Sequence, residues 1–225
     1  MKTTTRPAQT ADGKHKVLII DDHPILRQGL AKLLNDQQDL VVCGEAETPP
    51  QAVRAVADLH PDLVLLDLTL ADGDGLELCK QLHDLHPHLP ILIVSMHDES
   101  LYAERCLHAG AMGYVMKQEP PAKVVAAIRR VLGGDVYLSD VMAAKLLRGL
   151  SKTRGHDERP PLERLTDREL QIFRLIGQGQ SVRAIAESLF LSTKTVETHK
   201  ENIKQKLGLK TSNDLLRYAI EARLP

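Results

Sequence analysis

Two periodicities alternate along the first 134 residues. Short, nearly continuous apolar runs, KVLIID (16–21), LVVCG (40–44), DLVLLD (62–67), PILIVS (90–95) and MGYVM (112–116), are each followed by a stretch with helical spacing. The first of these, HPILRQGLAKLLND, places Ile25, Leu26, Gly29, Leu30, Leu33 and Leu34 on one stripe, with Pro24 at its entry. PPQAVRAVADLH, DGLELCKQLHDLH, ESLYAERCLHAG and PPAKVVAAIRRVLGG repeat the pattern. Strands that are apolar on both faces need cover on both. Five of them alternating with five helices predict an α/β, doubly wound, five-stranded parallel sheet.

From Leu162 onward the period is helical throughout. LTDRELQIFRLIGQGQ opens with Thr166-x-x-Glu169, the pattern of a capping box, and closes at Gly177 and Gly179. SVRAIAESLF is a short helix capped by Ser181. A third helix starts at Ser192 and runs to Gly208, with Val196, Ile203 and Leu207 on one face; TSNDLLRYAIEARL supplies a fourth. The tight FLS turn between the second and third predicts a helix-turn-helix inside an all-α four-helix domain, the third helix being the reader. Its inward stripe, to which Val196 belongs, leaves Lys194, Thr195, Thr198, His199, Lys200, Lys204 and Lys206 at the outside or rim. VYLSDVMAAKLLRGL (136–150) reads as a further helix leading into the polar stretch SKTRGHDERPP. The expected organisation is a flexible tail (1–14), an α/β domain (15–135), a linker helix and flexible linker (136–161) and a helical domain (162–225).

Composition narrows the class. The chain of 225 residues is 43% hydrophobic and 26% charged, with net charge −1 and no apolar run of the ~18–20 residues that a membrane span requires. The polar start MKTTTRPAQTADGKHK lacks a secretory signal. Cys43, Cys79 and Cys106 show no C-x-x-C spacing, which favours reduced, buried thiols in a cytoplasmic protein over disulfides or zinc. Net charge conceals an asymmetry: residues 1–150 hold 15 Lys/Arg against 20 Asp/Glu, and residues 151–225 hold 14 against 10. An acidic half joined to a basic half points to two domains with different partners, the second fitted to nucleic acid.

The candidate chemistry lies where the strands end. In open parallel sheets, sites gather beyond the carboxyl ends of the strands, near the point where strand order reverses. Here those ends carry Asp21-Asp22, Asp67, Ser95 and Lys117. Asp67 tips the most hydrophobic strand, where a carboxylate is costly to desolvate unless a charge meets it. It can be read as a metal ligand, as a nucleophile toward phosphoryl groups, or as a loop carboxylate that reaches solvent. Three converging carboxylates demand a cation, and hard oxygen donors suit Mg²⁺. A carboxylate oxygen beside Mg²⁺ can attack phosphorus, while Lys117 and the Ser95 hydroxyl hold other phosphoryl oxygens. No Gly-rich phosphate loop is present, which argues against a nucleotide pocket.

These strand-end residues, with Tyr114 three positions before the lysine, resemble the receiver domain of two-component response regulators. LTDRELQIFRLIGQGQSVRAIAESLFLSTKTVETHKENIKQKLGL resembles the LuxR-type DNA-binding domain over its whole length. The pair is the NarL/FixJ arrangement and covers nearly all of the chain apart from the N-terminal tail. The resemblance implies a flavodoxin-like receiver whose Asp67 is the phospho-acceptor, taking a phosphoryl group from a sensor histidine kinase. Asp22, Asp67 and the Thr69 backbone carbonyl would bind Mg²⁺ directly, and Asp21 largely through water. Ser95 and Lys117 would contact the phosphoryl group, with Thr69 and His97 flanking it. Phosphorylation would draw Ser95 in and let Tyr114 turn inward. The product would be a phosphorylation-dependent transcriptional regulator, homodimeric when phosphorylated, binding double-stranded DNA with RNA polymerase as a further partner. It would have no membrane partner and no enzymatic activity beyond slow self-dephosphorylation. The sequence departs from the family at Ala71, where proline is usual, at Gln118, where proline or aspartate is frequent, and at Glu197 and Glu201, where some members carry lysine. A Mg²⁺-dependent phosphatase and a phosphorylation-independent DNA binder are the alternatives.

Overall fold

The computed structural model describes residues 13–70, 72–150, 160–222 and 224. Most of the expected tail and the SKTRGHDER segment of the expected linker lie outside them. The chain forms two compact units, Met1–Ala144 and Lys145–Pro225.

The first unit follows the predicted alternation: β1 (His15–Ile20), α1 (Pro24–Asn35), β2 (Leu40–Ala46), α2 (Pro49–Leu59), β3 (Leu63–Leu66), the two-residue strands β4 (Thr69–Leu70) and β5 (Gly73–Asp74), α3 (Gly75–Leu85), β6 (Ile91–Ser95), α4 (Glu99–His108), β7 (Gly113–Met116) and α5 (Pro121–Leu132). The five longer strands make one parallel sheet in the order β2-β1-β3-β6-β7, so strand order reverses between β1 and β3. Val17, Ile19, Leu63, Leu65, Leu92, Val94 and Val115 pack on one face with Leu30 and Leu34 of α1 and Val124, Ile128 and Val131 of α5. The alternate positions Leu18, Ile20, Val64, Leu66, Ile91 and Ile93 are equally buried. Both faces are therefore covered.

Helix starts follow from local chemistry. Proline opens α1, α2 and α5, where the missing N–H has no intrahelical partner to lose. Asp74 caps α3 by accepting from the Leu76 and Glu77 amides, and Asp98 caps α4 through the Ser100 amide. The antiparallel hairpin of β4 and β5 was not legible in the sequence. It sits directly after Asp67, and Gly75 closes it. A Cβ on Gly75 would collide with the Asp67 carbonyl and the Leu68 backbone. The α1 stripe also differs from expectation. Ile25 is 88% exposed, while Arg27 is buried.

The expected boundary at residue 135 moves. Tyr137 bridges in parallel to Gly113, its N–H donating to the Met112 carbonyl and its carbonyl accepting from the Tyr114 N–H. Ser139 then donates through both N–H and hydroxyl to the Glu99 carboxylate in the first turn of α4. Residues 137–139 are thus part of the α/β unit, because the edge of β7 needs partners for its main chain. Helix α6 (Asp140–Leu150) follows.

The second unit comprises a 3-10 turn (Pro161–Arg164), α7 (Asp167–Gly177), α8 (Val182–Ser188), α9 (Thr193–Leu207) and α10 (Ser212–Ala222). Leu170, Phe173, Ile185, Val196, Ile203, Leu215 and Ala219 form its interior, and Phe173 meets Tyr218 edge-on at 5.8 Å. The Thr166–Glu169 capping box is formed. Glu169 also accepts from the Lys206 ammonium at 2.6 Å, which joins the start of α7 to the end of α9. Burial raises the Glu169 pKa, but Lys206 and the Thr166 donors outweigh it and hold the carboxyl below its ordinary value.

A carboxyl depressed in this way stabilises the fold above its ordinary pKa of 4.5, and the contribution is lost as pH falls through the lower folded value. Amide protection factors at the start of α7, corrected for the intrinsic pH dependence of exchange, are expected to fall over that interval in the full chain, and Lys206→Met is expected to remove most of this change.

Candidate functional site

The parallel ladders bring the strand-end residues together. Asp67 N–H donates to the Ile20 carbonyl, Asp21 N–H to the Ala46 carbonyl, and Lys117 N–H to the Ser95 carbonyl. Asp21, Asp67 and Ser95 are buried, and the Lys117 side chain is only 5% exposed. Its ammonium lies 2.7 Å from Asp21 Oδ2 and 2.8 Å from Asp67 Oδ2. Asp67 Oδ1 is buried and makes no hydrogen bond. Burial raises the Asp67 pKa and the Asp21 charge adds to this, while Lys117 opposes both; the net direction is upward.

Asp21 has little free capacity. Its Oδ1 accepts from the His23 amide and its Oδ2 faces Lys117. Its main-chain carbonyl accepts from Arg27 Nη1 at 2.6 Å. Arg27 is held in turn by Glu45 through Nε (2.7 Å) and by Glu47 through Nη2 (2.6 Å), so α1 and the end of β2 together fix the acidic corner. Asp22 is more accessible, with His23 Nδ1 2.7 Å from its Oδ1. Asp21, Asp22, His23 and Asp67 each offer one ligand atom, all within 4.8 Å of one another. The spare oxygen on Asp67 and this set of hard donors fit a divalent cation.

Around the pocket, His97 is buried, its Nε2 3.0 Å from Thr69 Oγ1 and its ring stacked on Tyr102 at 4.5 Å. Tyr114 is already turned inward, 1% exposed, its hydroxyl donating to the His97 carbonyl at 2.8 Å, so the inward turn expected on phosphorylation is in place in this structure. Burial raises its pKa. Thr69 lies in β4, paired opposite Asp74 in β5.

On α9 the exposed residues Thr193, Lys194, Glu197, Thr198, Glu201, Asn202 and Gln205 follow one another at helical spacing and form the outward stripe, opposite Val196 and Ile203. Of the seven side chains expected there, Lys194 and Thr198 lie on it. Thr195 is half-buried and bonded to the Ser192 cap, and His199 is half-buried. Lys200 and Lys204 are drawn to Glu197 (3.0 Å) and Glu201 (2.7 Å), three residues earlier. Lys206 is held by Glu169. Val196 is core.

Sequence comparison matches residues 17–129 to the response regulator receiver domain and residues 163–219 to the LuxR family of bacterial regulatory proteins. The oxygen regulatory protein NreC of Staphylococcus carnosus is 36% identical over 213 residues, 93% of this chain and 98% of that protein. This chain is a LuxR-type two-component response regulator.

Solved structures agree with the family. The RcsB response regulator of Salmonella typhimurium superposes with a TM-score of 0.73 at 27% identity, covering 94% of this chain and all of that one. An RcsB–DNA complex gives 0.70 at 27% identity, over 92% of this chain and 98% of that one. The response regulator ChrA, from a haem-sensing two-component system, is 30% identical, with a TM-score of 0.51 over 95% of this chain and all of that one. In this response regulator the receiver's acidic pocket is formed by Asp21, Asp22 and Asp67, with Ser95 and Lys117 at the same rim. Sequence reasoning did not select His23, Arg27, Asn202 or Gln205, and named Glu197 and Glu201 only as departures from the family. The last four were legible as the stripe opposite Val196 and Ile203. Arg27 was not, because a lone arginine on an apolar helix face gives no sign of its partners. Among the described residues no helix is long and apolar enough to cross a membrane.

Removing the ammonium leaves two buried carboxylates uncompensated, a loss of roughly 3–5 kcal/mol. Thermal melting of Lys117→Met is expected to show this destabilisation and its partial recovery in millimolar Mg²⁺. Asp67→Asn, which removes a disfavoured buried charge, is expected to melt at or above the wild-type temperature.

Proposed function

We propose that Asp67 accepts a phosphoryl group from the phosphohistidine of a sensor histidine kinase, and that this modification controls binding of double-stranded DNA by the helix-turn-helix unit. The observation that carries the reading is the asymmetry of the Asp67 carboxylate: Oδ2 is fixed by Lys117 while Oδ1 is left without a partner. A carboxylate anchored by one oxygen is oriented to attack with the other, forming an O–P bond as the P–N bond to the kinase imidazole breaks. Mg²⁺, held by Asp22, Asp67 and the Thr69 backbone carbonyl with Asp21 acting through water, would neutralise charge on the non-bridging phosphoryl oxygens. Lys117 contacts one of those oxygens, and the Ser95 hydroxyl donates to another as the segment after β6 shifts.

Tyr114 belongs to this switch through its bond to the His97 carbonyl. A shift of the segment after Ser95 therefore reaches the aromatic ring directly. Two phosphorylated chains would place their reading helices on adjacent half-sites as a homodimer, raising affinity through effective concentration. The protein acts in the cytoplasm on promoters, with RNA polymerase as the downstream partner. It is a switch and not a turnover enzyme.

Phosphoryl-donor labelling tests this. Acetyl phosphate with Mg²⁺ is expected to load about one phosphoryl per chain, to fail with EDTA or with Asp67→Asn, and to strengthen DNA retention in the wild type alone. Continuous release of phosphate over many turnovers, or full DNA stimulation in Asp67→Asn, would overturn the proposal.

A further inference from the structure

The exposed face of α9 carries an unexpected charge pattern. A helix that enters a major groove meets a polyanion, yet two of the seven residues on the outward stripe are glutamates, with side chains 51% and 58% exposed. Both carboxylates are oriented, Glu197 Oε1 by Lys200 at 3.0 Å and Glu201 Oε1 by Lys204 at 2.7 Å. The two lysine side chains are only 14% and 13% exposed, so their charges are tucked beside the stripe while the acids stand on it. Each couple is near neutral, which lets an acid approach phosphate without full repulsion. A carboxylate brought to the floor of the groove can only accept hydrogen bonds.

Of the four bases, cytosine alone offers a major-groove donor, its N4 amino group, with no acceptor beside it. Guanine presents only acceptors, N7 and O6, and repels a carboxylate; adenine places acceptor N7 next to its amino group, and thymine offers an acceptor and a methyl. We propose that Glu197 and Glu201 are specificity-determining residues that select cytosine at two neighbouring positions of each half-site. Separated by one helical turn, they stand about 6 Å apart along the axis, within reach of neighbouring base pairs at ~3.4 Å per step. The assignment rests on α9 being the helix that enters the duplex.

Selection from a pool of randomised DNA duplexes tests it, with the full chain treated with acetyl phosphate and Mg²⁺. Wild type is expected to enrich cytosine at two positions by roughly tenfold or more over guanine. Glu201→Gln is expected to lose that preference at one position and admit adenine, whose N7 and N6 suit an amide. Glu201→Lys should shift it to guanine, and Glu197→Gln should relax the other position alone. Both sites are exposed, so melting temperatures should not move; a variant that fails to fold is replaced by the alanine substitution at the same site. Base preferences that stay the same in every variant overturn the assignment, as does a uniform change in affinity. A wild-type chain that retains no duplex at all overturns the underlying reading of α9.

Discussion

A single ammonium group, shared between two buried carboxylates, is the interaction on which the receiver depends. Lys117 bridges Asp21 and Asp67 across the ends of three strands that are distant in sequence. Without it the sheet would close over like charges in a medium that cannot screen them. With it, the most apolar strand can end in a reactive carboxylate. The main-chain ladders that fix Asp21, Asp67 and Lys117 are the same ones that hold the sheet together, so the site is as rigid as the core beneath it.

A second layer controls what that rigid rim can pass on. The segment after β6 is tied to the Tyr114 hydroxyl by the His97 carbonyl and faces Thr69 through the His97 ring. Tyr114 is bonded through its main chain to Tyr137, and Ser139 is bonded to the first turn of α4. Side chains next to the acceptor are thus connected by short hydrogen bonds to the residues that lead into α6. On the opposite side of the pocket, Arg27 locks the acidic loop to the end of β2.

Most of the fold was legible because apolar runs and helical stripes alternate cleanly, and the acidic site because strand ends in a parallel sheet converge wherever the intervening helices pack. What escaped was set by tertiary pairing. The β4–β5 hairpin is two residues per strand and has no periodicity of its own. The attachment of residues 137–139 depends on an edge that exists only once β7 is in place. On α9 the basic residues were expected at the outside or rim; Lys194 stands outside, while the stems of Lys200, Lys204 and Lys206 are long enough for their charges to fold back onto glutamates of α9 or of the α7 cap. Side-chain reach, rather than position on a helical wheel, decided which residues stand at the surface.

The bridge between Tyr137 and Gly113 has a consequence for assembly. An exposed outer strand is an invitation to intermolecular β-pairing. Here the chain's own downstream segment fills that seam over the first half of β7, with Ser139 stapled to Glu99 behind it. A neighbouring molecule finds no vacant ladder there, so two receivers that associate on this flank have to meet through their helices.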